Sequence, residues 1–440
     1  MSSGRLPATR AAALARLSAF LPSAGRDYAA GRNFDCGGFP GAGAGAEPSA
    51  GTSTAASAET GQQASVSQLS PYIRHRLLLE PEVVAAVLAR HPPSACHRFV
   101  QEVYWRSYWK GWLENRPAIW TRYQSELAAL VLQLAHDTEL DRRFCAATDG
   151  TTGIDCFDHW ARELVGTGYL HNHARMWVAS IWIFTLRLPW QLGADWFLRH
   201  LLDGDPASNT LSWRWVAGLH TRGKHYLARA ANIAEYTRGR FDPQGELDES
   251  ARALPPDSPV AIERLRVPVV ADPGRAGGLL ITDEDALPET LGIEPRISTA
   301  LSIACTPERS PLPGGELAHR FAADALADAG MRAATAFDCA AQSAAIDGVD
   351  RGSMMRVDAI VRWAREHELQ QVLTAFACVG PVRTLFDELR PALAAHSIEL
   401  IEVRRGWDGA CWPHATRGYF DFSKATGALA GQSRALISSA

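Results

Sequence analysis

A change in hydrophobic periodicity near residue 241 constrains the fold of this chain more than any other feature. Between residues 65 and 241 apolar side chains recur at i, i+3 and i+4, as in PEVVAAVLARH and RYQSELAALVLQLAHD, which is typical of amphipathic helices. From residue 263 onward, helical patterns alternate with the short apolar runs VPVVAD, GGLLITD, ALSIACT, QQVLTAFACVG and IELIEVRR. Such alternation predicts parallel strands joined by helices. We therefore expect a mainly α-helical domain followed by a C-terminal α/β, Rossmann-like domain.

The other segments divide the chain around these two domains. Residues 1–35 predict an N-terminal helix and a turn. Residues 36–64 are rich in Gly, Ala and Ser and too poor in large apolar side chains to pack, so a flexible insert is expected. The Pro- and Asp-rich residues 242–262 are typical of a linker between the helical domain, 65–241, and the α/β domain, 263–440. No GxGxxG or GxxxxGK[ST] follows any strand-like run, so the role of the α/β domain stays open.

Charge is distributed unevenly along the chain, although the formal net charge is only −4. Residues 65–241 carry 20 Lys and Arg against 16 Asp and Glu, whereas residues 242–440 carry 19 against 28. The helical half is therefore the better candidate for an anionic ligand.

The cysteines and the apolar runs indicate the cellular environment. Eight cysteines are scattered without a CxxC pair, which argues against a metal site or a disulfide framework and fits a reducing compartment. No apolar run reaches the about 18 residues that a membrane span requires. We expect a cytoplasmic protein that binds no metal and crosses no membrane.

One stretch of the helical half combines side chains that are seldom buried together. LLDGDPASNTLSWRW, residues 201–215, places two aspartates, an asparagine and two tryptophans in apolar helical sequence. Charged groups are costly to bury unless something pairs with them. The stretch therefore predicts a built site, although an aspartate that caps a helix also explains part of the pattern.

Five motifs, in order, relate this stretch to a known family. YAAGRNF and VSQLSPY precede QEVYWRSYWK and GTGYLHNHARMW, and the last motif joins LPWQLG to DGDPASNTLSWRW. Together they resemble the FAD-binding domain of the photolyase/cryptochrome family, from about Tyr28 to Phe241. The resemblance implies a helical domain that holds FAD in a folded, U-shaped conformation.

The resemblance also implies which side chains hold FAD. Free N–H groups and hydroxyls at a helix start suit phosphate, and the implied phosphate-side residues are Tyr28, Ser67, Gln68, Leu69 and Ser70. The residues implied around the flavin ring are Arg106, Arg175, Asp203, Gly204, Asp205 and Asn209. Arg175 and Asp203 would form a buried ion pair, and Asn209 would face flavin N5. Photolyases carry asparagine at that position, whereas plant cryptochromes carry aspartate.

Other motif positions match the family's photochemical and DNA-facing residues. Trp213 and Trp190 match the inner and middle members of an electron-transfer chain that reduces photoexcited flavin. The positions implied to face a flipped-out pyrimidine dimer are Glu102, Trp105, Asn172, His173 and Trp215, and all except His173 match the catalytic set. Trp105 and Trp215 would hold the dimer between aromatic walls.

Some features depart from the family pattern. Only 27 residues precede Tyr28, so the family's N-terminal α/β antenna domain is not in its usual place. The C-terminal α/β domain either takes that place in space or is an unrelated appendage, and no motif indicates an antenna chromophore. Val66 replaces a threonine, and His173 replaces an arginine. No tryptophan lies between Trp120 and Trp160, where the outer member of the electron-transfer chain is expected, so photoreduction would use another exit.

The motifs imply a function and leave alternatives. The leading interpretation is a deoxyribodipyrimidine photolyase-like lyase, an FAD-dependent, blue-light-driven repair enzyme. It would split cyclobutane pyrimidine dimers in damaged DNA, single- or double-stranded, by electron transfer from reduced flavin. The alternative is a cryptochrome-like photoreceptor that signals through a protein partner. A flavoprotein without photochemistry would leave the lesion-facing residues unused. We expect a monomer.

Overall fold

The computed structural model describes residues 6–37, 66–221, 223–344, 353–427 and 429–432. The predicted flexible insert, 36–64, lies outside these residues except for Cys36 and Gly37.

The first part of the chain is helical, as the periodicity predicts. It begins with α1 (Arg10–Phe20), where Thr9 Oγ1 accepts a hydrogen bond from the Ala12 N–H at 3.1 Å, and α2 (Arg26–Gly31). The helices that follow are α3 (Ser70–Arg74), α4 (Glu80–Arg90), α5 (Pro93–Glu114), α6 (Pro117–Leu134), α7 (Thr138–Asp149), α8 (Asp155–Thr167), α9 (Asn172–Ser180), α10 (Trp190–His200), α11 (Pro206–Val216) and α12 (Ala230–Tyr236). A π-helical turn, Ile181–Thr185, continues α9.

The second part forms a five-stranded parallel sheet in the order β3-β2-β1-β4-β5. The strands are β1 (Gly277–Thr282), β2 (Ile297–Ile303), β3 (Ala340–Ser343), β4 (Gln371–Ala375) and β5 (Glu399–Val403). They alternate with α13 (Glu316–Phe337), α14 (Ser353–Glu366) and α15 (Pro381–Ala394). Every residue of β1 and β4 is buried, which explains their continuous apolar sequence. The prediction of a parallel sheet is confirmed.

Three short helices follow β5: α16 (Gly406–Cys411), α17 (Tyr419–Thr426) and α18 (Leu429–Gln432). The first two pack against α5 of the helical part, and α18 packs against α4. Trp407 fixes this contact, because its indole N–H donates to Ser107 Oγ at 2.8 Å in a buried position. The segment after the sheet is therefore built onto the helical part.

One expected strand is absent from the structure, and one strand of the structure was not expected. VPVVAD, residues 267–272, forms no strand, and Val267 and Val270 are 85% and 89% exposed. Pro268 lacks the N–H that a sheet ladder needs, and apolar composition without a partner does not make a strand. The sequence reading also missed β3, a short edge strand of small and polar residues that carries no apolar signal.

The helical part and the sheet share one hydrophobic core. The buried cluster that contains Trp196 and Phe197 of α10 continues into Leu279 and Ile281 of β1. A second cluster covers the opposite face of the sheet and includes Leu280 of the same strand. Alternate residues of β1 thus face the two clusters. None of the helices in the described residues is both long and apolar enough to cross a membrane.

Candidate functional site

A cavity of about 490 Å³ lies inside the helical part. Its volume falls within the about 300–1,000 Å³ typical of small-molecule sites. Sequence-predicted residues that line it are Tyr28, Ser67, Ser70, Glu102, Trp105, Arg106, Asn172, Arg175, Asp203, Gly204, Asp205, Asn209, Trp213 and Trp215. Five motifs that span nearly two hundred residues of sequence thus converge on one cavity.

Four predicted residues are placed elsewhere. Gln68 and Leu69 are buried in the turn before α3, with Gln68 at a positive φ of 52° and its amide oxygen bonded to Arg16. Trp190 stacks on Tyr123 outside the cavity lining, with ring centroids 5.6 Å apart. His173 lies with its Nδ1 3.0 Å from the Asn33 carbonyl oxygen and its ring stacked on Trp177.

Asp203 and Arg175 form an ion pair at the cavity wall. Arg175 Nη2 lies 3.0 Å from Asp203 Oδ2, and the Arg175 Nε donates to the Leu170 carbonyl oxygen at 3.0 Å. Burial by itself would raise the pKa of Asp203, but the charge and the hydrogen bond of Arg175 lower that pKa below its usual value. Asp203 is therefore a fixed negative charge on the cavity wall.

Asp205 combines a structural and an electrostatic role. Its Oδ1 accepts from the Ser208 N–H at 2.8 Å and caps α11. Its Oδ2 lies 3.4 Å from both Arg106 Nη2 and Lys110 Nζ. Burial opposes ionisation, yet the two cations hold the pKa of Asp205 well below its usual value. The helix-cap explanation of this aspartate and the site explanation hold together.

Two serines, Ser67 just before α3 and Ser70 at its start, line the cavity. Ser67 Oγ accepts from the Leu69 N–H at 3.3 Å, and the Ser67 carbonyl accepts from Arg16 Nε at 3.1 Å. Helix α3 has only five residues, so its dipole is small. The serine hydroxyls, rather than a helix dipole, are therefore the groups of this turn that could contact a phosphate.

Asn209 and Trp213 occupy the floor of the cavity on α11. The Asn209 side-chain NH₂ donates to the Ala194 carbonyl oxygen at 2.7 Å, which fixes the orientation of the amide. The Trp213 ring packs edge-on against Phe197 and Trp182, with centroids 5.0 and 6.2 Å apart. Its close neighbour on α10 is Gly193, where a Cβ atom would lie 2.3 Å from the Trp213 ring.

Glu102, Trp105 and Trp215 are half-buried at the cavity wall. Glu102 forms an ion pair with Arg32, and burial raises its pKa although Arg32 opposes the shift. Trp215 stacks on Tyr226 with centroids 5.9 Å apart. The Trp105 ring lies against Tyr419 of α17. Glu102 and Trp105 are therefore held by partners that lie far away in sequence, and Trp215 by a nearby tyrosine.

The sequence reading missed several residues of this site. Trp109 lines the cavity and could have been found, because it follows Trp105 by one helical turn on α5. Arg32 stands in the motif YAAGRNF and could also have been named. Tyr419 carried no such signal, since its partner Gln101 lies more than 300 residues away in sequence.

The cavity chemistry fits a large, partly anionic aromatic cofactor. Arg106 and Arg175 supply positive charge, while the Asp203 and Asp205 carboxylates stand beside them. Within the described residues, the buried Trp213 Nε1 and Ser208 Oγ have no hydrogen-bond partner, although both residues line the cavity. A cavity of this size with these charges suits a cofactor of that kind.

Comparison with known proteins finds similarity over the helical part. The model of the FAD binding domain of DNA photolyase matches residues 99–248, which carry most of the cavity lining. The helical part of this chain is therefore similar to the FAD-binding domain of DNA photolyases.

The curated relatives cover part of the chain. A deoxyribodipyrimidine photo-lyase from Streptomyces griseus is 32% identical over 203 residues, which are 42% of this chain and 41% of that protein. The enzyme of the same name from Thermus thermophilus is 32% identical over 185 residues, 41% of each chain. The crystal structure of a bacterial class III photolyase from Agrobacterium tumefaciens aligns over 52% of this chain and 42% of its own, at 25% identity and a TM-score of 0.37. This chain therefore spans about two fifths of the length of these relatives.

Proposed function

We propose that this chain is an FAD-dependent, blue-light-driven enzyme that splits cyclobutane pyrimidine dimers in damaged DNA. One observation supports the proposal above the others. The lesion-facing residues of the motifs, Glu102, Trp105, Asn172 and Trp215, line the same cavity as the residues implied to hold the flavin ring. A substrate held by the first set would lie next to a cofactor held by the second.

The residues that would hold FAD are those whose positions are fixed by other contacts. Arg175 and Arg106 carry permanent charges in the cavity wall, each beside a carboxylate. Asn209 presents its amide with the NH₂ engaged by Ala194, so its carbonyl oxygen remains to accept a hydrogen bond. Reduced FAD, when bound and excited by blue light, supplies the electron that opens the dimer.

The residues that would hold the dimer are aromatic and polar. Trp105 and Trp215 offer flat apolar faces, and stacking on such a face contributes about 1–3 kcal/mol per base without reading sequence. The Glu102 carboxylate, which is paired with Arg32, can accept hydrogen bonds from the edge of a base. Asn172, at the first position of α9, adds an amide beside it.

The test is illumination of the pre-reduced protein with a dimer-bearing oligonucleotide, with recovered thymine measured by chromatography. The wild type should restore thymine in blue light and not in the dark. Trp215→Ala should weaken binding of the damaged oligonucleotide by about 1–3 kcal/mol, because one stacking wall is lost. Trp112→Ala is the matched control, since Trp112 is a half-buried tryptophan outside the cavity lining.

Two results would contradict the proposal. If flavin binds but no thymine is recovered, and if damaged and undamaged oligonucleotides bind equally, repair is wrong. The photoreceptor interpretation, with a protein partner, then takes its place. If the purified protein binds no flavin, both interpretations fail.

A further inference from the structure

Three consecutive acids, Asp283, Glu284 and Asp285, follow β1 at the carboxyl end of the strand. The carboxyl ends of parallel strands are where α/β folds usually bind ligands, at the point where the strand order reverses. Here the order reverses between β1 and β4. The three acids are nevertheless buried, with exposures of 1%, 6% and 3%. Cations from the helical part fill much of the space that a ligand would take.

Glu284 contacts two of these cations. Its Oε1 lies 2.6 Å from Arg74 Nη2, and its Oε2 lies 3.3 Å from Lys110 Nζ. All three side chains are at least nine-tenths buried. The cations lower the pKa of Glu284 against the effect of burial, so the carboxylate is charged.

Both partners of Glu284 reach the loop that forms the cavity wall. Lys110 Nζ lies 3.4 Å from Asp205 Oδ2, and Arg74 Nε donates to the Gly204 carbonyl oxygen at 2.8 Å. Glu284 is thus connected to the loop at residues 204 and 205 through two different side chains, Lys110 and Arg74. Neither route is visible in the sequence, because Arg74 and Glu284 are 210 residues apart.

Charge balance makes this contact necessary. The buried cations Arg74, Lys110 and Arg106 face three carboxylates, those of Glu80, Asp205 and Glu284. Lys110 also approaches Cys378 Sγ at 3.6 Å, but burial raises the pKa of that thiol, so it adds no charge. Without the charge of Glu284, three cations would share two carboxylates. Lys110 would then keep only Asp205 as an ion-pair partner, and Arg74 would lose the one carboxylate that forms an ion pair with it among the described residues, with Asp205 and Asp283 farther away.

We infer that Glu284 is a positioning residue for the flavin-binding loop, acting from the sheet through Lys110 and Arg74. The α/β part is on this view a structural component of the FAD site. The inference rests on the proposed binding of FAD in the cavity. Glu284 itself is not among the residues that line the cavity.

Glu284→Gln tests the inference, with Asp285→Asn as the matched control. Both changes remove one buried carboxylate charge at the end of β1, but the partners of Asp285 are Arg405 and Arg76. The apoprotein of each full-length variant is titrated with FAD. Glu284→Gln should weaken FAD binding by roughly tenfold, as loss of a supporting contact behind a ligand site typically does. Asp285→Asn should stay within about twofold of the wild type.

A double-variant cycle separates positioning from general loss of stability. If Glu284 acts through Lys110, the loss of FAD affinity in the double variant Lys110→Met, Glu284→Gln should be smaller than the product of the losses in the two single variants. Glu284→Asp keeps the charge and should retain most of the affinity, and it carries the test if Glu284→Gln does not fold. Equal FAD affinity in Glu284→Gln and the wild type, or equal losses in Glu284→Gln and Asp285→Asn, would overturn the inference. A wild type that binds no FAD instead overturns the proposed function.

Discussion

Tyr419 of α17 lies flat on Trp105 of α5, with ring centroids 3.6 Å apart and ring planes 13° from parallel. The Tyr419 hydroxyl donates to the Gln101 carbonyl oxygen at 3.0 Å, one turn earlier on α5. A segment that follows the sheet thus supports an aromatic wall of the cavity. Because Trp105 is half-buried and Tyr419 is buried, Tyr419 restricts the orientation of the tryptophan ring.

Replacing Tyr419 should separate the ring contact from the hydroxyl contact. Tyr419→Phe keeps the stacked ring and should lower the free energy of unfolding by about 0.5–1.5 kcal/mol through the lost hydrogen bond. Tyr419→Leu also removes the stacking, worth about 0.5–1.5 kcal/mol more. Denaturant unfolding measures both. Affinity for a dimer-bearing oligonucleotide should fall in Tyr419→Leu and not in Tyr419→Phe, whereas equal affinities would show that Trp105 needs no support.

Trp213→Phe should slow light-driven reduction of bound FAD and leave FAD affinity unchanged. Phenylalanine keeps most of the packing against Phe197 and Trp182, but its ring is much harder to oxidise than indole. Absorbance of the flavin under blue light with an external thiol measures the rate. Trp160→Phe is the control, because Trp160 is equally buried but stacks on Trp177, away from the cavity lining. An unchanged rate in Trp213→Phe would mean that the electron enters by another residue.

Gly193→Ala should displace Trp213 from its position. The added Cβ would lie 2.3 Å from the Trp213 ring, a distance that only movement of the ring or of α10 relieves. Overpacking of this kind costs about 1–3 kcal/mol of stability. Gly166→Ala is the control, because Gly166 lies within α8 with open space where its Cβ would be. Alanine should stabilise that helix by up to about 1 kcal/mol. In thermal unfolding, the melting temperature should therefore fall in Gly193→Ala and rise in Gly166→Ala.

His171 should make stability depend on pH between about 4 and 6.5. Its Nδ1 accepts from the His173 N–H at 3.2 Å and caps α9, which requires the unprotonated nitrogen. Burial, the largest cause, lowers its pKa to about 4. The unfolded chain then binds more protons in this window, so the contribution of His171 to stability is complete above pH 6.5 and is lost as the pH falls towards 4.

His171→Asn tests this pH dependence, since asparagine caps a helix without titrating. The difference in free energy of unfolding between wild type and variant should change in the variant's favour from pH 7 to pH 4.5. The measurement is chemical denaturation at both values. A difference that does not change with pH would show that His171 is not the titrating group.

The fold was predictable from the sequence where buried apolar side chains follow one another, or recur regularly, along the chain. Apolar periodicity gives the helices, and the wholly buried β1 and β4 give runs that resemble strands. The failures have physical causes. Val267 and Val270 are apolar but face solvent, while β3 is paired by its backbone and carries only alanine, glutamine and serine side chains, all of them exposed.

The site was predictable only in part for a related reason. The motifs name the residues that line the cavity, and most of them lie there. The residues behind the cavity could not be named, because Lys110, Glu284 and Tyr419 act through contacts between segments that the sequence separates widely. Such contacts depend on tertiary packing, on which a local pattern carries no information. The roles of the lining residues remain predictions, and so does the electron-transfer route through Trp190, which lies outside the lining.

The shared core has a consequence for how this protein can be divided. Leu279 and Ile281 of β1 lie in the same buried cluster as Trp196 and Phe197 of α10. Cutting the chain in the irregular segment between α12 and β1 would leave apolar side chains of both pieces facing water, at a cost that grows with the uncovered area. Separate expression should therefore give aggregation-prone fragments rather than two independent modules. Thermal unfolding of the whole chain should show one cooperative transition.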